Sequence, residues 1–378
     1  MRLASFNVEN LFSRAKALNR DQWLDNVGDD PADWTPGHRA LEYYGELNAL
    51  FRKSTYSAAD KARMVQLLTA LGLAKSDESS FVILRKNRGT LLKRPQGGGL
   101  QIVADGRDDW IGWLELQKEA VNEVATQNTA RVLDLLQADV VVVIEAEDRI
   151  SLCRFNEQVL KLVGGALFDQ IMLIDGNDER GIDVGLMARG SATIDFVRSH
   201  VDDRDGTSKV FSRDCAEFHL RVGGSGLVVL ANHLKSKGYG QPAQSNAKRK
   251  AQATRLRAIY DGLRAQGIDR IAIAGDFNDT LTSPPLAPLL GAGSDLKDVS
   301  AHPSFDDGGR PGTYGTGTAS NKIDHILLSP ALWSKVTAGG IERRGVWTAS
   351  HKWPVLPELK KEAEAASDHA AVWVDLNL

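Results

Sequence analysis

Mixed α/β layers are what this sequence predicts, and three observations predict them. Short apolar runs recur along the chain, long helix-favouring stretches separate some of them, and nothing repeats at a solenoid period. Residues 3–8, 140–144, 184–188, 227–231, 271–274, 326–328 and 370–374 read as buried strands. Residues 119–137 and 243–265 carry mostly helix-favouring sequence. Residues 14–118 interrupt this rhythm with a helix near 58–71, the tryptophans Trp23, Trp34, Trp110 and Trp113, and a hairpin region. That region holds Arg85, Lys86, Arg88, Lys93 and Arg94, followed by Gly97, Gly98 and Gly99. No Pro/Ser-rich linker borders the stretch, so the expected organisation is one domain over 1–378 with an insertion at about 14–118.

A chain of 378 residues with 42% hydrophobic and 25% charged content can bury a full core. Its net charge is −3, so a polyanionic partner would need a local patch and a bound cation rather than a global basic field. Cys153 and Cys215 are the only cysteines, which excludes a disulfide framework and a thiolate zinc site. No apolar run approaches a membrane span. Met1-Arg2-Leu3 leads into a strand rather than a signal peptide, so a cytoplasmic protein is the simplest expectation unless a leader was removed. Nothing in the sequence speaks to oligomeric state.

Polar residues gather at the strand ends, which is how a sheet builds a site along one edge. In Gly275-Asp276-Phe277-Asn278, residues two apart in extended chain face the same way. Asp276 could orient and deprotonate water while Asn278 donates to phosphate; the plain alternative is an Asx-turn closing the strand. Asp368-His369 offers a hard oxygen ligand beside an imidazole, and Asp324 could hold that ring in one tautomer. His325 is turned away from the Asp324 face by strand alternation. Glu145 leaves one of the most apolar strands, where a carboxylate is costly unless paired or bound to metal, and Asn7 is a neutral neighbour for it. Oxygen-only ligands fit Mg2+ or Mn2+ better than Zn2+. His233 could protonate a leaving oxygen with Lys235 adding charge, and Asp183 is a candidate to orient it; a packed histidine beside solvated lysines is the bland reading. Glu9 and Glu147 read as solvated neighbours.

In order, SFNVEN, VVVIEAE, GIDVGL, LANHLKSK, GDFND, KIDHILLS and SDHAAVW resemble the endonuclease/exonuclease/phosphatase superfamily, the group of deoxyribonuclease I. The resemblance covers both ends and the second half of the chain, with GDFND and SDH its strongest marks. It implies a deoxyribonuclease I-like fold, a four-layered α/β sandwich of two packed mixed sheets flanked by helices. It further implies a metal held by Glu145, with Asn7 and Asp368 beside it. Asp276 would position water, Asn278 would bind phosphate, and His369 supported by Asp324 would meet the scissile phosphate. His233 matches a second histidine of deoxyribonuclease-like members, and Asp183 has the least secure counterpart.

The motifs are similar to those of bacterial non-specific endonucleases, which implies hydrolysis of nucleic acid, DNA ahead of RNA. The alternative is a phosphodiesterase or phosphatase acting on a small-molecule or lipid phosphate ester, which would suit an acidic chain. Arg85, Lys86 and Arg88 with Trp110 and Trp113 could form a phosphate-and-stacking surface, or else solvated and core positions. Tyr314 could stack on substrate or pack a turn.

Overall fold

The computed structural model describes residues 1–9, 11–12, 15–18, 36–118, 122–178, 180–237, 242–291, 293–350 and 352–378. Trp23, Trp34 and Arg14, where the expected insertion begins, lie outside the described residues. The chain divides into two compact units: Met1–Phe12, Val121–Lys237 and Pro242–Leu378 form one, and Ser13–Ala120 with Gly238–Gln241 the other.

The first unit holds β1 (Arg2–Asn7), α1 (Glu123–Leu136), β2 (Val140–Ala146), β3 (Gln170–Leu173), β4 (Asp183–Ala188), β5 (Ala192–Arg198), β6 (Cys215–Val222) and β7 (Ser225–His233). It continues with α2 (Pro242–Ala265), β8 (Ile271–Asp276), β9 (Asp324–Leu328), β10 (Val336–Glu342) and β11 (Ala371–Leu376). One sheet runs Phe305–Asp306, β10, β11, β1, β2, β4, β3; the other runs Lys297–Asp298, β9, β8, β7, β6, β5. Both are mixed: β1 is parallel to β2 and antiparallel to β11, and β8 is parallel to β7 and antiparallel to β9.

Leu3, Val142 and Ile144 of the first sheet share one core with Val229, Ala274 and Ile326 of the second. Their strand neighbours Val141 and Val143 turn the other way, onto Val132, Leu133 and Leu136 of α1. Leu230 and Ile273 likewise meet Leu256, Ile259 and Leu263 of α2. The layers are therefore helix, sheet, sheet, helix, a four-layered α/β sandwich. Strands covered on both faces read as unbroken apolar runs, and each fully buried Val, Leu or Ile contributes roughly 1.5–3 kcal/mol. The apolar-run criterion passes over β3, β5, β6 and β10. In β6, Phe218 and Leu220 enter the core while His219 and Arg221 stay partly or fully exposed, so the strand alternates instead of running apolar. Among the described residues no helix is long and apolar enough to cross a membrane.

The second unit has its own core. Helices Pro36–Phe51 and Ala58–Ala70 pack Leu41, Leu47, Met64, Leu67 and Leu68 against Leu84 and Leu114 of the antiparallel ribbon Val82–Gly89 and Trp110–Leu116. A Ser57–Asp60 capping box starts the second helix, each side chain satisfying the other's backbone N–H. Trp110 is fully buried, edge-on to Phe51 at 4.9 Å, and donates to the Tyr56 hydroxyl at 2.9 Å. It is a core residue, the second of the two readings the sequence allowed.

Candidate active site

Strand register lines up the first three polar residues. Parallel pairing sets His233 opposite Asp276, and antiparallel pairing sets Asp276 opposite Asp324. Gly275 makes this fit: at φ 144° a Cβ there would stand 1.8 Å from the Asn232 carbonyl oxygen. From the other sheet, Asn7 Nδ2 donates to Asp276 Oδ2 at 3.3 Å, while its Oδ1 accepts the Glu9 N–H at 3.0 Å. Glu9 in turn accepts the Asp368 N–H at 3.0 Å, so it ties the end of β1 to the turn before β11. It is a linking residue, where the sequence suggested a solvated neighbour.

His369 is buried, and its Nδ1 lies 2.8 Å from Asp324 Oδ2. Its Nε2 stands 4.0 Å from Asp276 and 3.8 Å from Asp368. Burial pushes this imidazole down, but the Asp324 and Asp368 carboxylates outweigh it and hold His369 well above its ordinary range. Asp324 is itself held by Thr313, whose hydroxyl donates to Oδ2 at 2.6 Å and accepts the Asp324 N–H at 3.1 Å. Thr313 is not among the sequence-predicted site residues; its hydroxyl beside the turn at Tyr314 was the available signal. Tyr314 lies with its ring centroid 4.9 Å from that of His369 and pairs with it in a β-bridge.

His233 is buried with Nε2 3.6 Å from both Glu145 Oε1 and Asp276 Oδ2, wider than a hydrogen bond. Burial, then the charges of Arg213 and Arg180, push it well below its ordinary range, so it is the neutral partner of a charged His369. Its Nδ1 has no partner among the described residues. Asp183 therefore does not hold this ring, which corrects that expectation. Asp183 Oδ1 accepts the Gly176 N–H at 2.8 Å instead, and burial raises its carboxyl to about 7. Strand pairing sets Asp183 beside Ala146, and its carboxylate bonds to the loop that precedes it.

Glu145 occupies a register shift in the β2–β4 pairing with φ 66°, a bulge that re-aims its side chain. Its Oε1 lies 3.6 Å from His233 Nε2, and its charge acts on both Asp276 and Arg213. Burial raises Asp276 to about 7, with Asp324 adding to the shift. Asn278, at φ 53°, donates from its backbone N–H to Asp276 Oδ1 at 2.8 Å. Its Nδ2 donates to Asp276 Oδ2 at 3.2 Å and to the Leu234 carbonyl at 3.1 Å. Both amide hydrogens are thus engaged, and a flip would set oxygen against two acceptors. Asn278 aligns Asp276 here; a free donor for phosphate, as the resemblance implies, requires one of those bonds to break.

Asp276, Asp324 and His369 each offer one metal-ligand atom within 4.8 Å of the others. The His369–Asp324 hydrogen bond is part of that closeness, and the carboxylate of Glu145 stands outside the group. Three further charged residues flank the site. Arg213 is buried, pairs with Asp178 at 2.8 Å, and Asp178 also takes Arg180 at 2.8 Å. The sequence reading missed all three; an arginine directly before an alternating strand was the only sign.

Lys235 is half-buried at the end of β7, its carbonyl and N–H both bound to α2. Arg85, Lys86 and Arg88 belong to the second unit, where Arg85 pairs with Glu115 at 2.7 Å and Lys86 with Asp77. Two of these cations are thus neutralised, against the expectation of a phosphate surface; Trp113 of the same ribbon is exposed. His325 points away from His369, with Nδ1 2.7 Å from Asp298.

Residues 119–339 match the model of the Endonuclease/Exonuclease/phosphatase family. No curated protein matches the chain. Among solved structures, an endonuclease/exonuclease/phosphatase family protein from Bacteroides thetaiotaomicron is similar at 17% identity, covering 66% of this chain and 86% of that one, with a TM-score of 0.49. A mannosyl-6-phosphatase of the same organism is 15% identical over 68% of this chain and 92% of that one, at a TM-score of 0.47. The human nocturnin catalytic domain with bound sulfate is 15% identical over 68% and 87%, also at 0.47.

Proposed function

This chain belongs to the endonuclease/exonuclease/phosphatase family, and from that premise we propose that it is a divalent-metal-dependent phosphodiesterase that hydrolyses DNA, ahead of RNA, by in-line attack of water. Phosphoester hydrolysis comes with the family. The observation that carries the finer reading is the convergence of two histidines on Asp276, His233 at 3.6 Å and His369 at 4.0 Å, in environments that drive them to opposite charge states.

The donors present fit a hard cation such as Mg2+ or Mn2+: Glu145 and Asp276 face the same His233 nitrogen at 3.6 Å, Asp368 lies 3.8 Å from His369, and no thiolate is among these donors. When bound, such an ion neutralises a phosphate oxygen and favours the charge growing on phosphorus. Asp276, steadied by Asn7 and Asn278, orients water and takes its proton. His369, kept charged by Asp324, donates to a phosphate oxygen, and neutral His233 faces the same region from β7. Arg213 and Arg180 add positive charge beside it. No side chain needs to bond covalently to phosphorus.

One observation favours a second reading, a small-molecule or lipid phosphate ester. The second unit's Arg85 and Lys86 are balanced by Glu115 and Asp77, which leaves less charge there for a polyanion. Cleavage of supercoiled plasmid, single-stranded DNA and bis-p-nitrophenyl phosphate with Mg2+ or Mn2+ separates the two. Cleavage of DNA by wild type and not by Asp276→Asn supports the nuclease; turnover of the small diester alone moves the substrate to the second class.

A further inference from the structure

α2 changes character along its length. Its later turns bury Ala253, Leu256, Ile259, Tyr260 and Leu263 in the outer apolar layer, but its earlier turns put Ser245, Arg249 and Gln252 inside. Arg249 has no exposed surface. A guanidinium in that position is tolerated only when its donors are used. Nη2 donates to Asn246 Oδ1 at 2.6 Å, Nη1 to the Lys235 carbonyl at 2.7 Å and Nε to Asp279 Oδ2 at 3.1 Å. Gln252, one turn further along the same face, accepts the Lys235 N–H at 2.8 Å.

The two acceptors outside the helix belong to different loops. Lys235 follows His233 at the end of β7, and Asp279 follows Asp276 and Asn278 at the end of β8. Asp279 is 2% exposed, its Oδ1 accepts the Thr280 N–H at 2.9 Å and pairs with Lys237 at 2.5 Å, and its carbonyl lies 3.0 Å from His325 Nε2. A buried ion pair stabilises little more than apolar residues of equal volume, whereas its directed bonds specify geometry.

We infer that Arg249 is a positioning residue: it clamps the β7 and β8 exit loops together just past the ladder that pairs His233 with Asp276, and so keeps Asn278 seated on the Leu234 carbonyl and aligned on Asp276. The inference rests on the reading of Asp276 as the reacting carboxylate. Arg249→Met keeps the volume and removes the bonds. Its expected result with bis-p-nitrophenyl phosphate and Mn2+ is a kcat lower by about 100-fold, the loss a misplacement near 1 Å brings, with KM and Mn2+ affinity changed only a few-fold. Methylguanidinium should restore part of kcat to Arg249→Ala, which a purely structural role would not allow. Amide hydrogen exchange should rise together in residues 234–237 and 276–280, and not in the later turns of α2. Unchanged kcat and exchange in a folded Arg249→Met would overturn the clamp. Should that variant not fold, Arg249→Lys, which keeps the charge but cannot reach three acceptors, carries the same test. If wild type hydrolyses no ester, the proposed activity falls while the exchange measurement still decides the clamp.

Discussion

At the scale of single residues, the site concentrates backbone conformations that other side chains avoid. Glu9, Glu145 and Asn278 have φ of 49°, 66° and 53°, and each such residue costs about 1–3 kcal/mol that surrounding contacts must offset. Glu145→Gly relieves that strain and removes the carboxylate. It should raise the melting temperature by a few degrees, roughly 1 kcal/mol, while abolishing Mn2+ binding by calorimetry. A less stable variant that still binds metal would remove Glu145 from both roles. Thr313→Val leaves Asp324 short of a donor in a buried setting, so stability should fall by about 1–3 kcal/mol in denaturant melts. The activity lost with it should exceed what the fraction unfolded explains, because Asp324 no longer fixes His369.

At the scale of elements, neighbouring strands aim the chemistry. β7, β8 and β9 place His233, Asp276 and Asp324 in one row, and a shift of one residue in β8 would turn Asp276 to the opposite face. Gly275 permits that register, since a Cβ would collide with the Asn232 carbonyl. Gly275→Ala should therefore cost more than about 3 kcal/mol, at the severe end of single substitutions, and abolish turnover. A stable, active Gly275→Ala would show that β8 can shift without loss. These elements were legible where both faces are buried, as in β2 and β8, because the apolar run is continuous. β6 was not, since an alternating strand can resemble an exposed segment until its neighbours are known, and β10, with Gly339 and Gly340 at its middle, offers no apolar run.

At the scale of the whole molecule, the buried charges give stability a definite pH dependence. Asp276 and Asp183 have folded values of about 7, above the ordinary carboxylate range. A raised carboxyl contributes stability that is complete below its unfolded value and lost as pH rises through the folded one. His369, also raised, follows the same sign and loses its share above the ordinary imidazole range. His233 is lowered, so its contribution is lost toward acid and complete by about pH 6.5. Metal-free protein should therefore melt at lower temperature as pH rises from about 6.5 to 8. Mn2+ should flatten that fall by favouring the ionised Asp276. Calorimetric scans with chelator and with Mn2+ check this, and a rising curve without metal would contradict the assigned shifts.

The sequence by itself determined the α/β class, the core strands that are apolar on both faces, and the ordered set of polar residues at their ends. Those features are local: periodicity, composition and short motifs record them. Tertiary structure decided which atom meets which. Asn7 and Asp276 are 269 residues apart, and Asp324 and His369 are 45 apart, so neither bond leaves a mark on its own segment. Only the fold shows that Asn278 spends its donors on Asp276 and Leu234, that Asp183 turns to Gly176, that Thr313 holds Asp324, and that Arg249 bridges Lys235 and Asp279. A side chain's chemistry is written in its identity, but its hydrogen-bond partner is chosen by chain segments that the fold brings from far away.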